Sequence, residues 1–215
     1  MRLQGWQTPD HGALFIVSGA SGTGKTTLLR AALERVPGLE FSVSATTRAP
    51  RAGERDGVDY HFVTHARFQD MLQRNELLEH AEVYGTLYGT PREPVWRALR
   101  EGRSIVLDID VQGAGQVRAS FDTDHRPVTV FILPPSIETI RKRLEARGTD
   151  TPEVVDRRIR EAHAQIARCG DYDYLVMNDV LDTAHAQLQG IFLAELSRRS
   201  RRNTWVRALV GGSGS

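Results

Sequence analysis

The chain has a single cysteine, Cys169, in 215 residues, so no disulfide can close within it and its order must come from a packed core. It has almost no lysine: of 28 Lys+Arg, Lys25 and Lys142 are the two lysines and the other 26 are arginine. No apolar run approaches the roughly 18 residues that span a bilayer. The N-terminus also lacks the charged-then-apolar layout of a secretory signal, so no membrane partner and a cytoplasmic location are expected. A formal net charge of +1 gives no global field for a polyanion, which argues against nucleic acid as a partner. The seven histidines show no metal-ligand spacing, and no internal repeat is present. What remains, 40% hydrophobic and 26% charged residues, suffices for one α/β domain with a substantial core.

Against these absences, residues 13–30 stand out. An apolar run over 14–17 breaks into glycines, then resumes with Leu28, Leu29, Ala32, Leu33 and Val36 at helical spacing until Pro37-Gly38. It reads as strand, loop, helix. Gly19 and Gly24 are followed by Lys25 and Thr26, the G-x-x-x-x-G-K-T pattern whose backbone N–H groups surround a di- or triphosphate. A helix N-terminus directed at the same anion adds its dipole. The Thr26 hydroxyl is a candidate ligand for Mg²⁺, which prefers oxygen donors. That a chain so rich in arginine keeps Lys25 here is informative, because a slim ammonium enters a backbone cage that a guanidinium would overfill. The competing reading is a Gly/Ser surface turn.

The rest of the chain alternates strand and helix patterns. Strands are predicted over 41–48, 59–63, 104–110, 128–133 and 175–178, with a polar Pro/Gly segment at 49–57, and 77–84 and the glycine-bounded stretch 84–89 are left without an assigned element. Helices are predicted after Thr64, over 91–100, from Val111, from Ser136, after Thr151-Pro152, and from Leu181 to the 198–202 region. Residues 1–12 and 211–215 read as flexible ends. The alternation predicts a parallel sheet with helices on both faces and ligands at the carboxyl ends of its strands.

Four clusters ask for chemistry. Arg48 and Arg51 flank a proline-stiffened bend and suit one phosphate, or are simply solvated. Tyr60, Tyr88 and Thr90 offer hydroxyls near glycines, although core or surface tyrosine is the ordinary reading. Glu79 joins Asp108 and Asp110, which end a strand expected to adjoin the phosphate-loop strand, where an aspartate holds Mg²⁺ directly or through water. Arg143, Arg147 and Arg158 lie on either side of Gly148, either as a solvated helix face or as a lid over transferring phosphate.

The runs Ser42-Val-Ser-Ala-Thr-Thr-Arg-Ala-Pro-Arg-Ala-Gly-Glu54, Gly57-Val-Asp-Tyr-His-Phe-Val63, Leu87-Tyr-Gly-Thr90, Leu107-Asp-Ile-Asp-Val-Gln-Gly113 and Arg143-Leu-Glu-Ala-Arg-Gly148 closely resemble guanylate kinase, in order and over about 14–190. The resemblance implies a phosphate-loop NTPase-type parallel sheet within a single domain at 13–198. Its core would comprise 13–40, 93–142 and 159–198, with a GMP-binding insertion at 41–92 and a lid at 143–158. It implies ATP and GMP as substrates with Mg²⁺, and GMP or dGMP phosphorylation in purine nucleotide metabolism. ATP would meet Gly19, Ala20, Ser21, Gly22, Thr23, Gly24, Lys25, Thr26, Thr27, Arg143 and Asn178. The GMP phosphate would meet Arg48, Arg51, Tyr60 and Tyr88, and the guanine Ser44, Glu79, Thr90 and Asp110. Lys25, Arg48, Arg147 and Arg158 would be catalytic, and Thr26 and Asp108 would serve the metal. The alternatives are a catalytically silent protein-binding module of the same shape and a related kinase with another acceptor. A homo-oligomer stays open.

Overall fold

The computed structural model describes residues 10–83, 85–121, 126–146 and 151–211, the side chain of Trp205 excepted. The expectations for 1–9, Tyr84, Arg147, 148–150 and 212–215 lie outside the described residues.

The five-stranded core sheet is parallel throughout, as the alternation predicts. β1 (Leu14–Ser18) is central, with β7 (Ser104–Asp108) and then β2 (Leu39–Phe41) on one side, and β8 (Val128–Leu133) and then β9 (Tyr174–Met177) on the other. All five residues of β1 are buried, because helices cover both faces of the sheet. On one face Phe15, Val17, Val106 and Val130 pack on α1 (Lys25–Arg35) and α7 (Leu181–Leu196), where Phe15 meets Phe192 edge-on at 4.6 Å. On the other, Leu14, Ile16, Ile105 and Leu107 pack on α3 (Arg92–Arg100) and α4 (Val111–Ala119). A helix pair, α5 (Ile137–Glu145) and α6 (Pro152–Ile166), closes over Ala20 of the phosphate loop.

A second, four-stranded sheet lies between α1 and α3 in sequence. Its order is β4 (His61–Phe62), β3 (Ala45–Thr46), β6 (Thr86–Pro91), β5 (Leu77–Val83). α2 (His65–Gln73), capped by Thr64 as predicted, covers it with Phe68 and Met71.

Four element boundaries depart from expectation. The alternation over 41–48 is shared between two sheets: β2 ends in the core sheet at Phe41, Ser42 gives a last N–H bond to Val106, and β3 begins at Ala45 in the other sheet. Alternation reports which side chains are half-buried, not which sheet buries them. The strand expected over 59–63 shrinks to His61–Phe62, because Asp59 and Asp56 side chains accept from the N–H groups of Arg55 and Phe62 and hold the approach as a loop. Pro91 closes β6 instead of opening α3, its ψ of 130° being extended. α7 stops at Leu196. A short 3₁₀ turn over Arg199–Arg201 leads into an unforeseen α8 (Asn203–Gly211), whose start is tied to the other end of the chain by Thr204 N–H donating to Asp10 at 2.7 Å.

Phe192→Ala empties the fully buried site beside Phe15. It is expected to cost about 3–5 kcal/mol, read as a lowered urea midpoint at unchanged slope; a loss below about 1 kcal/mol would remove this contact from the core's main supports.

Candidate active site

The phosphate loop leaves the carboxyl end of β1 and turns into α1 at Gly24, which has φ +86°. A β-carbon there would be strained and would also stand 2.4 Å from the Asn178 amide nitrogen. Gly24 caps α1 without a side-chain hydrogen bond, so the first-turn N–H groups of the helix are left for an anion. The loop is braced from outside. Asn178, buried at the end of β9, donates to the Thr23 carbonyl at 2.6 Å, and Arg143 of α5 donates to the carbonyls of Gly22 and Thr23 at 3.2 Å each. Thr23 closes the turn by donating its hydroxyl to the Ala20 carbonyl. Ser21, Thr26 and Thr27 are exposed along the same stretch.

Parallel pairing sets Val17 of β1 opposite Asp108 of β7, so the carboxylate that ends β7 arrives at the loop. Lys25 makes an ion pair with it. Thr26 and Asp108 line a cleft of about 340 Å³ whose opposite wall carries Glu54, Asp59 and Tyr60 from the loop before β4. A larger groove of about 530 Å³, between α2 and the start of α3, holds none of the residues singled out in the sequence.

Across the cleft, Arg48, Tyr60 and Tyr88 come together. The Arg48 guanidinium lies 5.5 Å from the Tyr60 ring centre, and the Tyr60 and Tyr88 rings are 5.9 Å apart. Arg48 is held there by a carboxylate to which the sequence alone assigns no role. Glu54 accepts both Arg48 Nη groups, at 2.9 and 2.8 Å, and the Arg51 N–H at 2.7 Å. These bonds with Glu54 raise the pKa of Arg48 further and lower that of Glu54. The signal in the sequence was the spacing Arg48-x-x-Arg51-x-x-Glu54, a carboxylate inside an arginine cluster. The Arg51 side chain is exposed, and Ser44 stands half-buried just before β3, its carbonyl accepting from His61 N–H.

A third group lies where β5 meets α4. Glu79 is 4% exposed and accepts from the Thr90 hydroxyl at 2.6 Å. Asp110 caps α4 by accepting from Gly113 N–H at 2.8 Å. Burial above all, with the Asp110 charge adding to it and the Thr90 hydrogen bond opposing it, pushes the Glu79 carboxyl up to about 7. Thr90, expected to face a base, spends its hydroxyl on Glu79 and so favours the carboxylate form.

Arg143 is thus brought to the loop, while Arg158 sits half-buried on α6, the second helix of that pair; Arg147 is outside the described residues. Among the described residues no cluster of three or more His, Cys, Asp or Glu suits a metal ion, and no helix is long and apolar enough to cross a membrane.

A family model described as guanylate kinase matches residues 11–195. The guanylate kinase of Paramagnetospirillum magneticum is 48% identical over 192 residues, covering 89% of each chain. That of Carboxydothermus hydrogenoformans is 45% identical over 201 residues, covering 94% of this chain and 97% of its own. Among solved structures, the crystal structure of guanylate kinase from Anaplasma phagocytophilum matches with a TM-score of 0.74 at 32% identity, over 90% of this chain and 91% of that one. With the family model spanning both sheets and the braced phosphate loop, this chain belongs to the guanylate kinase family.

Proposed function

We propose that this chain transfers the γ-phosphoryl group of ATP to GMP, and to dGMP, giving ADP and the nucleoside diphosphate. The observation that carries the reading is a cleft with Thr26, at the end of the glycine-rich loop, and Asp108 on one wall and the Glu54–Tyr60 loop, whose Glu54 orients Arg48, on the other. Donor and acceptor phosphates would meet there for in-line displacement. The acceptor is already an anion, so no strong base is required, and the main obstacle is repulsion between two polyanions. Lys25 and the α1 N–H groups would hold the donor phosphates, and Arg48 and Arg51, with the Tyr60 and Tyr88 hydroxyls, the GMP phosphate. The silent-module alternative leaves Lys25, Thr26 and Asp108 without a purpose.

In this reading the parts are a core at 13–40, 93–142 and 159–198, an insertion at 41–92 that includes the whole second sheet, and a lid at 143–158. Arg143, Arg147 and Arg158 would add charge and exclude water as the lid closes. The oxygen donors Thr26 and Asp108 fit Mg²⁺, a hard ion that shares its ligands with substrate phosphates. When bound, it would spread the charge of the transferring group.

Guanine presents N1–H and N2–H₂ donors, which the acceptor-only carboxylates Glu79 and Asp110 match. Adenine would place an acceptor nitrogen against them, at about 1–3 kcal/mol for each buried group left unpaired.

Two outcomes are expected. In a coupled assay of ADP release, GMP and dGMP should support turnover and AMP and UMP should not, while Lys25→Ala should nearly abolish turnover and keep most GMP binding. Silence with every acceptor would favour the protein-binding module. The second outcome concerns pH. Glu79, raised from 4.5 to about 7, is protonated in the ligand-free chain below that pH and must release a proton to accept from guanine. KM for GMP should therefore fall about tenfold per pH unit on approach to 7 and level off above it, with KM for ATP nearly flat. The same shift makes the ligand-free fold lose stability as pH rises from the unfolded value of 4.5 through about 7. Glu79→Gln should weaken GMP far more than ATP and erase the limb attributed to Glu79, leaving only the titration of GMP itself. An unchanged profile in that variant would remove Glu79 from base recognition.

A further inference from the structure

Among the described residues β5 is an end strand of the second sheet, and one edge of it has no strand partner. At His80 that edge is met by a side chain from the core. The Gln116 amide of α4 accepts from His80 N–H at 3.0 Å and donates to the His80 carbonyl at 2.8 Å, as a peptide group of a neighbouring strand would. His80 directly follows Glu79. One helical turn before Gln116, α4 presents Gly113, where a β-carbon would stand 2.5 Å from Glu79 Oε2 and 3.4 Å from Asp110 Oδ1. One turn earlier still is Asp110 itself. Positions 110, 113 and 116 recur at the interval that keeps residues on one helix face. That face therefore supplies one guanine-facing carboxylate, leaves room for the other, and grips the backbone beside it.

The two carboxylates come from different sheets' surroundings: Asp110 follows β7 of the core, and Glu79 belongs to β5. Their spacing is not set by any shared strand pairing, because the two sheets are separate. A carboxylate pair that accepts from N1–H and N2–H₂ must hold its oxygens to within a few tenths of an ångström, since hydrogen bonds weaken steeply with misalignment.

We propose that Gln116 is a positioning residue for nucleotide selection: by fastening β5 to α4 at His80, it fixes Glu79 relative to Asp110 and so sets the preference for guanine. This rests on the GMP reading above.

Gln116→Met keeps the length of the side chain and removes both hydrogen bonds. Steady-state kinetics should show KM for GMP rising about tenfold, KM for ATP unchanged within about twofold, and selectivity for GMP over IMP, which lacks the N2 amine, reduced by a similar factor. Gln116→Asn, which keeps the amide on a stem one methylene shorter, should fall between the two and serves if the Met variant does not fold. In a Glu79→Gln background, Gln116→Met should add less than about twofold, because what it positions is already gone. If Glu79→Gln leaves KM for GMP unchanged, the guanine-recognition reading fails, and this proposal with it. If Glu79→Gln raises KM but the Gln116 variants do not, or if their effects multiply fully and appear equally in KM for ATP and in thermal stability, Gln116 is a structural bond only and the GMP reading stands.

Discussion

The parallel pairing of β1 with β7 is the constraint on which the site depends. It brings the loop after Ser18 and the carboxylate at Asp108 to the same end of the sheet, since parallel strands finish on the same side. α1 and α4 then start from neighbouring strand ends, one with an uncapped N-terminus suited to phosphate and the other capped by Asp110. An antiparallel β7 would put Asp108 at the far end of the sheet. The buried, apolar character of β1 and β7 is what fixes this arrangement: with both faces covered, a slip of either strand would take Leu14, Ile16, Ile105 or Leu107 out of its packing against α3 and α4.

Within that frame two cations at the cleft are each held by a carboxylate of the chain. Lys25 pairs with Asp108, and Arg48 with Glu54. The charges are thereby kept from repelling one another while no phosphate is present, and the long side chains are ordered in advance. Arg48 gains most from this, because a fork held on both nitrogens, with Tyr60 and Phe62 near its face, has lost much of its rotamer freedom before any ligand arrives. The loop itself is ordered in the same spirit: Arg143 and Asn178 occupy carbonyls, not amides, and leave the donors of Gly24 and the first turn of α1 uncommitted.

The sequence made the phosphate loop legible because its residues are contiguous and each carries a local chemical signal: glycine for backbone shape, lysine for charge, threonine for a hydroxyl oxygen. The strand alternation and the parallel sheet were legible for similar reasons, since periodicity within one element records its own burial. What stayed hidden was set between elements. Glu54 reads as one more loop carboxylate until the fold shows it between Arg48 and Arg51. Gly113 and Gln116 look like ordinary residues of a short helix, and only the packing of α4 on β5 reveals that one leaves room for Glu79 and the other grips His80. The division of 41–48 between two sheets was illegible for the same reason, because alternation carries no record of its partner strand. α8 depends on Asp10, almost two hundred residues earlier in the chain.

With Glu79 facing guanine as proposed, its burial would link selectivity to protonation through the chemistry of the carboxyl group itself. Ionised, it offers acceptors only and suits the donor edge of guanine. Protonated, it carries a donor as well and could meet the acceptor nitrogen of adenine, so in the proposed reading the neutral form would weaken the discrimination that burial would sharpen. Removing water raises the penalty for a mismatched base but also raises the carboxyl toward 7. Thr90 offsets part of that rise by donating to Oε1, and the absent β-carbon of Gly113 allows the carboxylate to sit against the start of α4, where the helix dipole favours negative charge. The pairing of β5 with β6, which sets Thr90 opposite Glu79, therefore does more than support two side chains: it opposes the effect of burial on the acid, and in the proposed reading that is what would let a dry pocket tell one purine from another.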